Sequence, residues 1–265
     1  MTDLDNLLSG LGGARTFELE HVRYMGAPIF SAHWPGFVYT LHRRHESGAG
    51  RTSASGTITM QEHSGTHIDA LCHQAVEMEM FGGVAVTPQS QTAHGFTQLG
   101  AESIQPMLRR GVLLDVAGAK GVDSLPEGYV VTEADLVEAA GDIALLSGDC
   151  ILVRTGNALR YGDPETYLRG PGLGADAARW LERHHPHLCG ADNVAFDVVD
   201  HVDPELGTLP CHTLLIYEAG IYILENLDLE ELAAAGAREF LFVCLPLKLQ
   251  GVTGSPVRPI AMTFS

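Results

Sequence analysis

The stretch His63-Ser64-Gly65-Thr66-His67-Ile68-Asp69-Ala70-Leu71-Cys72-His73 sets three imidazoles and a carboxylate within eleven residues, a density of donors that packing does not call for. His67 and Asp69 stand two apart, so they diverge on a helix and share a face on an extended strand. The segment reads as strand-like. A straight strand advances ~3.3 Å per residue and would carry His67 ~13 Å beyond His63, too far for one ion whose ligands sit at about 2 Å. The chain must bend between them, and Ser64-Gly65-Thr66 supplies the bend, because glycine accepts backbone angles closed to other residues. So bent, His63, His67 and Asp69 form one side of a metal site, with His73 a turn further on as an acid or base. The rival reading is a chance cluster of hydrogen-bonded histidines; the spacing H-x3-H-x-D-x3-H around a hinge glycine argues for metal. With no thiolate among the donors, zinc or manganese suits them better than copper.

Outward from this motif the chain reads mainly as strands. Thr57-Ile58-Thr59-Met60 alternates polar with apolar residues, the pattern of a half-buried strand. Further strands are expected at Gly111–Val116, Asp149–Arg154, Asn193–Val198, Ile221–Leu224 and Glu239–Val243. Thr132 with Asp135 resembles a capping box that opens a helix over Glu133–Ala140, closed by Gly141. A second helix is expected over Ala175–His185, ending before Pro186, and a third over Leu229–Ala235, capped by Asp228. Strands outnumber helices and do not alternate with them regularly, which predicts a mixed α/β fold on a β core. Residues 1–55, with Gly, Pro and aromatics interleaved, read as loop-rich.

The 265 residues, 45% hydrophobic and 18% charged, can bury a substantial core and are taken as a single domain, 1–265. Thirty Gly and thirteen Pro exclude a coiled coil. The balance of 16 Lys and Arg against 33 Asp and Glu, net -17, repels phosphate backbones and anionic headgroups, so neither nucleic acid nor membrane is an expected partner. Phe240–Leu247 is far shorter than the ~20 apolar residues of a membrane span. The acidic Met1–Asp5 lacks the features of a signal peptide. Five cysteines, odd in number and never in C-x-x-C, argue against a disulfide framework, and a cytoplasmic location is expected.

Other candidates divide. Glu225 closes an apolar strand, where a carboxylate is either a ligand or an acid ahead of a helix N-terminus. His212 precedes a Leu-Leu-Ile run and is either a ligand or a buried, hydrogen-bonded histidine. Trp34, Phe37, Tyr39 and Phe81 could stack on a planar substrate or simply pack in the core. His184, His185 and His187 crowd a helix end and complement its dipole, Gly170–Gly174 reads as a loop, and Cys72 reads as a small buried filler rather than a nucleophile.

The motif is similar to the H-x-G-T-H-x-D-x-x-x-H signature of the cyclase family of metal-dependent hydrolases, whose members include bacterial kynurenine formamidase, isatin hydrolase and trans-dienelactone hydrolase. The resemblance extends to His33-Trp34-Pro35-Gly36, to DCILVRTG at Asp149–Gly156, to GIYILENL at Gly220–Leu227 and to Gly254-Ser255-Pro256-Val257-Arg258. It implies a swivelling β/β/α fold with a β-barrel-like core, and a homodimer or homotetramer. It also implies that His63, His67 and Asp69 hold a first ion, that Asp69 bridges to a second held by His212 and Glu225, and that His73 is the catalytic acid/base. One ion or two, and zinc or manganese, stay open. The chain departs from the pattern twice: Leu71 stands where the formamidases usually have Pro, and the interval from His212 to Glu225 is one residue longer than the family spacing.

The expected activity is hydrolysis of a small, aromatic or cyclic amide, lactam or lactone, of the aryl formamide, isatin or dienelactone type. A metal at this site would lower the pKa of a bound water and polarise the carbonyl, and the hydroxide would attack while His73 moves a proton to the leaving group. The rivals are a lyase or cyclase using the metal as a Lewis acid, and a non-catalytic metal-binding protein on the same fold.

Overall fold

Val112, Leu114, Ile151 and Val153 face one hydrophobic cluster, while Leu113, Cys150 and Leu152, interleaved with them, face a second. Aliphatic runs without alternation mark strands covered on both faces. A computed structural model describes residues 2–46 and 50–264. Met1, Ser47 to Ala49 and Ser265 lie outside the described residues, and with them parts of the acidic N-terminus and of the loop-rich first segment.

The main sheet has nine strands: β1 (Arg15–Glu18), β2 (His67–Asp69), β3 (Met107–Asp115), β4 (Cys150–Arg154), β5 (Leu188–Ala191), β6 (Tyr222–Glu225), β7 (Glu239–Cys244), β8 (Gly254–Pro256) and β9 (Ile260–Thr263). Their spatial order is β1-β9-β7-β3-β4-β5-β6-β2-β8. β3 to β6 run parallel, and the strands beyond them on both sides are antiparallel. Helix α1 (Asp3–Gly12) precedes β1; α2 (Glu133–Ala140) and α3 (Ala175–Arg183) cover one sheet face together with a helical turn at Thr213–Glu218. The opposite face curls on itself, so that Phe17 of β1, Ile68 of β2, Leu224 of β6 and Phe242 of β7 share one interior, closed by Leu229 and Leu232. This is the expected mixed α/β fold, with a half-barrel sheet.

The capping box of α2 forms with both arms, and its bounds are as expected. α3 stops at Arg183, with His184 as its C-cap. The third helix runs Glu230–Ala234, its first turn held by Glu230 N donating to Asp228 Oδ1 at 3.2 Å.

Four expectations are corrected. Asn193–Val198 forms no regular strand: β5 ends at Ala191, and the next residues are folded into a loop by their own polar side chains. Asp192 accepts from Thr155 N, Thr155 Oγ1 and Gly156 N, and Asn193 Nδ2 donates to the carbonyls of Pro171, Phe196 and Asp197. Thr57–Met60 does not form a half-buried strand; Ser55–Thr59 pairs only with Val38–Arg43, in a hairpin exposed on both faces. The loop-rich first segment begins with α1, opened by a capping box of Thr2 and Asp5. Gly172–Leu173, within the stretch read as a loop, pairs in parallel with Val130–Val131.

Candidate metal centre

The bend at Ser64-Gly65-Thr66 is present and clamped. Gly65 has φ +60°, and a Cβ there would stand 2.7 Å from Arg23 Nη1. The Arg23 guanidinium forks onto the carbonyls of Ser64 and Thr66, while its Nε donates to Glu20 at 2.8 Å. Thr66 Oγ1 donates to the Asn226 carbonyl at 2.5 Å, tying the bend to the residue after Glu225.

Beyond the bend, β2 pairs with β6 so that His67 faces Glu225 and Ile68 faces Leu224. Successive side chains of a strand point to opposite faces. Ile68 and Leu224 therefore enter the apolar interior, and His67, Asp69 and Glu225 gather on the helical face. Glu225 ends β6 at the carboxyl edge of the parallel strands, the edge where open α/β sheets place their ligands.

His212 reaches the same point from the helical side. It ends the short helix Pro210–His212 and leads into a π-helical turn, Thr213–Glu218. A π turn takes up one more residue than an α turn. His212 Nε2 lies 3.3 Å from Glu225 Oε1 and 3.5 Å from Asp69 Oδ2. His67 Nε2 lies 3.5 Å from Asp69 Oδ1 and 3.4 Å from Glu225 Oε2, and His63 Nδ1 lies 2.8 Å from Asp69 Oδ1. The donor atoms of His63, His67 and Asp69 fall within 4.8 Å of one another, as do those of Asp69, His73 and His212.

Three of these imidazoles have the ring nitrogen remote from the carboxylates engaged. His67 Nδ1 is 2.7 Å from the Gly65 carbonyl, His212 Nδ1 is 2.7 Å from Asp197 Oδ2, and His63 Nε2 is 2.7 Å from Thr253 Oγ1. An N–H spent on an outer acceptor leaves the inner nitrogen a bare lone pair, the state a metal requires. The inner atoms converge on two buried carboxylates. Asp69 Oδ1 and Oδ2 and Glu225 Oε1 are buried without a hydrogen-bond partner among the described residues. Unpaired buried carboxylates are costly unless a cation compensates them. The donor set therefore fits a divalent cation.

The electrostatics agree. Burial would raise Asp69, but His73, His212, His63 and His67 surround it and hold it well below the usual carboxylate range. Burial and Asp69 together raise Glu225. Against the effect of burial, Asp197, Asp69 and Glu225 draw a proton onto His212, and Asp69 and Glu225 do the same at His67. Each carboxylate is thus asking for positive charge. Burial pushes His73 down to about 3 against the pull of Asp69, and its ring centroid lies 4.1 Å from that of His63.

Several participants carry no local signal. His33, in the turn Ser31–His33, lies 4.8 Å from the His63 ring and 6.3 Å from the His73 ring; burial, His63 and His67 push it down to about 4. Arg23, Asp197 and Thr253 hold ligands or the bend from distant parts of the chain, and Glu62, next to His63, accepts from Thr253. Only the clustering of HWPG aromatics around His33 hinted at that loop.

The aromatic candidates scatter. Trp34, 73% exposed, follows the turn that positions His33. Phe37 lines a small cleft with Arg23, Ile29, Ser64, Gly65 and Tyr161. Tyr39 lies in the exposed hairpin with its ring over Gly56, and Phe81 packs its ring on Gly220, ahead of β6. Cys72 is buried, its thiol pushed by burial up to about 12, as suits a filler. No described helix is long and apolar enough to cross a membrane.

A family model described as Putative cyclase matches residues 17–198, which include the bend, β2 and His73 but stop short of His212. A kynurenine formamidase of Bacillus cereus is 29% identical over 245 residues, covering 86% of this chain and 90% of its own. The isatin hydrolase of Roseibium aggregatum is 27% identical over 220 residues, covering 77% of this chain and 73% of its own. A solved structure described as a novel cyclase superposes with a TM-score of 0.85 at 30% identity, over 99% of this chain and 92% of its own. With a matching family model across most of its length and a nine-stranded half-barrel to carry the motif, the chain belongs to the cyclase family.

Proposed function

We propose that the chain is a metal-dependent hydrolase of the C–N bond of a small aryl or cyclic amide. The observation that carries this reading is the convergence of three oriented imidazole nitrogens on two buried, unsatisfied carboxylates. His63, His67 and Asp69 would hold one ion, and Asp69, His212 and Glu225 a second. Zinc or manganese bound there supplies an acidified water and a Lewis acid for the carbonyl. His73, beside this set, would carry the proton to the leaving nitrogen. Relatives bearing the names kynurenine formamidase and isatin hydrolase support an amide substrate. Lactones remain within the chemistry of the same site.

A second reading of His73 has its own support, since its donor atom falls within 4.8 Å of those of Asp69 and His212. There it would be a ligand of the second ion. Metal analysis of the purified protein, with turnover measured on formanilides, lactams and lactones in added zinc or manganese, tests the whole assignment. Metal binding without turnover on any of them would favour the non-catalytic protein.

A further inference from the structure

Two of the imidazoles gathered around the metal centre keep both ring nitrogens unspent. His63, His67 and His212 each have a nitrogen held by an outer partner, whereas among the described residues neither His33 nor His73 has one. The His33 ring stands 4.8 Å from that of His63 and 6.3 Å from that of His73, and His63 and His73 stand 4.1 Å apart. Those lengths make a triangle with nearly a right angle at His63. His33 and His73 therefore approach this ligand from different sides and bound one corner between them.

The position of His33 is built. The Phe30 carbonyl accepts from His33 N at 2.9 Å, and the Phe30 ring packs on the cluster of Tyr161, Tyr167, Val194 and Ala195. Gly36 takes φ +73° where the chain leaves the turn, and a Cβ there would stand 3.1 Å from Ile29 Cδ1. The turn is thus anchored from behind, yet His33 is only half-buried and Trp34 beyond it is exposed. A ring held this way, with no hydrogen bond given to the fold, is free to serve a molecule that enters the centre.

We propose that His33 contacts the substrate, hydrogen-bonding a hydroxyl, amino or carbonyl group carried next to the ring atom that bears the amide nitrogen. This rests on the reading of the centre as an amide hydrolase with His73 at the leaving nitrogen. An imidazole nitrogen engages its partner at about 3 Å, so His33 and His73 are close enough to hold two groups on adjacent atoms of one planar ring. Neutral imidazole offers one donor and one acceptor, which suits each of those groups. Glu62 acts on the His33 ring as well, and its charge disfavours an anionic substituent there.

Two formanilides, with a hydroxymethyl group ortho or para to the amide, test this on the full, metal-loaded chain. The ortho compound should be preferred about tenfold in kcat/KM, as one neutral hydrogen bond allows. His33→Phe keeps a planar ring without nitrogens, and in it the preference should disappear. His33→Gln, with a donor and an acceptor, should restore most of it. Each variant is read as a ratio of two substrates, so a partly unfolded or metal-poor preparation lowers both rates and leaves the ratio alone. Calorimetric binding of the matching ortho and para (hydroxymethyl)anilines reads the same contact without turnover. A protein that separates the anilines through His33 but cleaves neither formanilide would end the hydrolase reading and uphold the contact. An ortho preference that survives in His33→Phe, or equal treatment of the isomers by the unmodified protein in both kinetics and binding, would overturn it.

Discussion

Thr253 Oγ1 stands 2.7 Å from His63 Nε2 and donates its own proton to Glu62, so Thr253 must accept from Nε2–H and His63 must present Nδ1 toward Asp69. A residue 190 positions away in sequence thereby sets the tautomer of a proposed ligand. Thr253→Val keeps the shape and removes the acceptor, and outer partners of this kind typically govern about 10–100-fold in metal affinity. Competition against a chelator should show a loss in that range for Thr253→Val and little for Thr253→Ser. Equal affinity in both variants would remove Thr253 from this role.

His73→Ala separates the two readings of that residue. As a proton carrier, its loss should leave the metal content unchanged and lower turnover by roughly 10²–10⁴. As a ligand, its loss should cost one ion per chain. Elemental analysis alongside kinetics distinguishes them, and unchanged hydrolysis would exclude both.

Thr132 holds the N-terminus of α2 through a reciprocal capping box with Asp135, away from the metal centre. Thr132→Ala should destabilise the protein by about 1 kcal/mol, with metal content and turnover per folded molecule unchanged. Thermal unfolding of the two proteins at one metal concentration gives the comparison.

Asp192 is fully buried, and burial pushes its carboxyl up to about 6 despite the donors of Thr155 and Gly156. Its pKa is higher folded than unfolded, so the folded state binds the extra proton between pH ~4 and ~6. The contribution is therefore present at low pH and lost as pH rises through about 6. In Asp192→Asn that fall should vanish, a difference of about 3 kcal/mol across the window, measured by chemical denaturation at several pH values. Parallel profiles for the two proteins would contradict it.

What the sequence disclosed follows from how local each signal is. β3 and β4 were legible because burial on both faces leaves aliphatic runs, and α2 because its cap lies within four residues. The same T-x-x-D signature at Thr2 marks α1. Val194, Ala195 and Phe196 misled because buried loop residues are as apolar as strand residues, and nothing local reveals that Asp192 and Asn193 will fold them back. Half of the centre was readable because His63, His67, Asp69 and His73 share one bent segment. Asp197, Thr253 and Arg23 escaped because they act on that segment from remote positions through hydrogen bonds, which impose no periodicity, and Glu62, though adjacent to His63, because its partner Thr253 is itself remote.

The π-helical turn after His212 also bears on how this fold can change. A one-residue insertion between two ligands would ordinarily swing the second by about 100° around a helix axis and scatter the centre. Here the chain between them passes through the wider coil of Thr213–Glu218, and β6 enters the sheet in register with its parallel neighbour β5. A coil of this kind holds one residue more than an α turn, so a length change of one residue here need not move either donor.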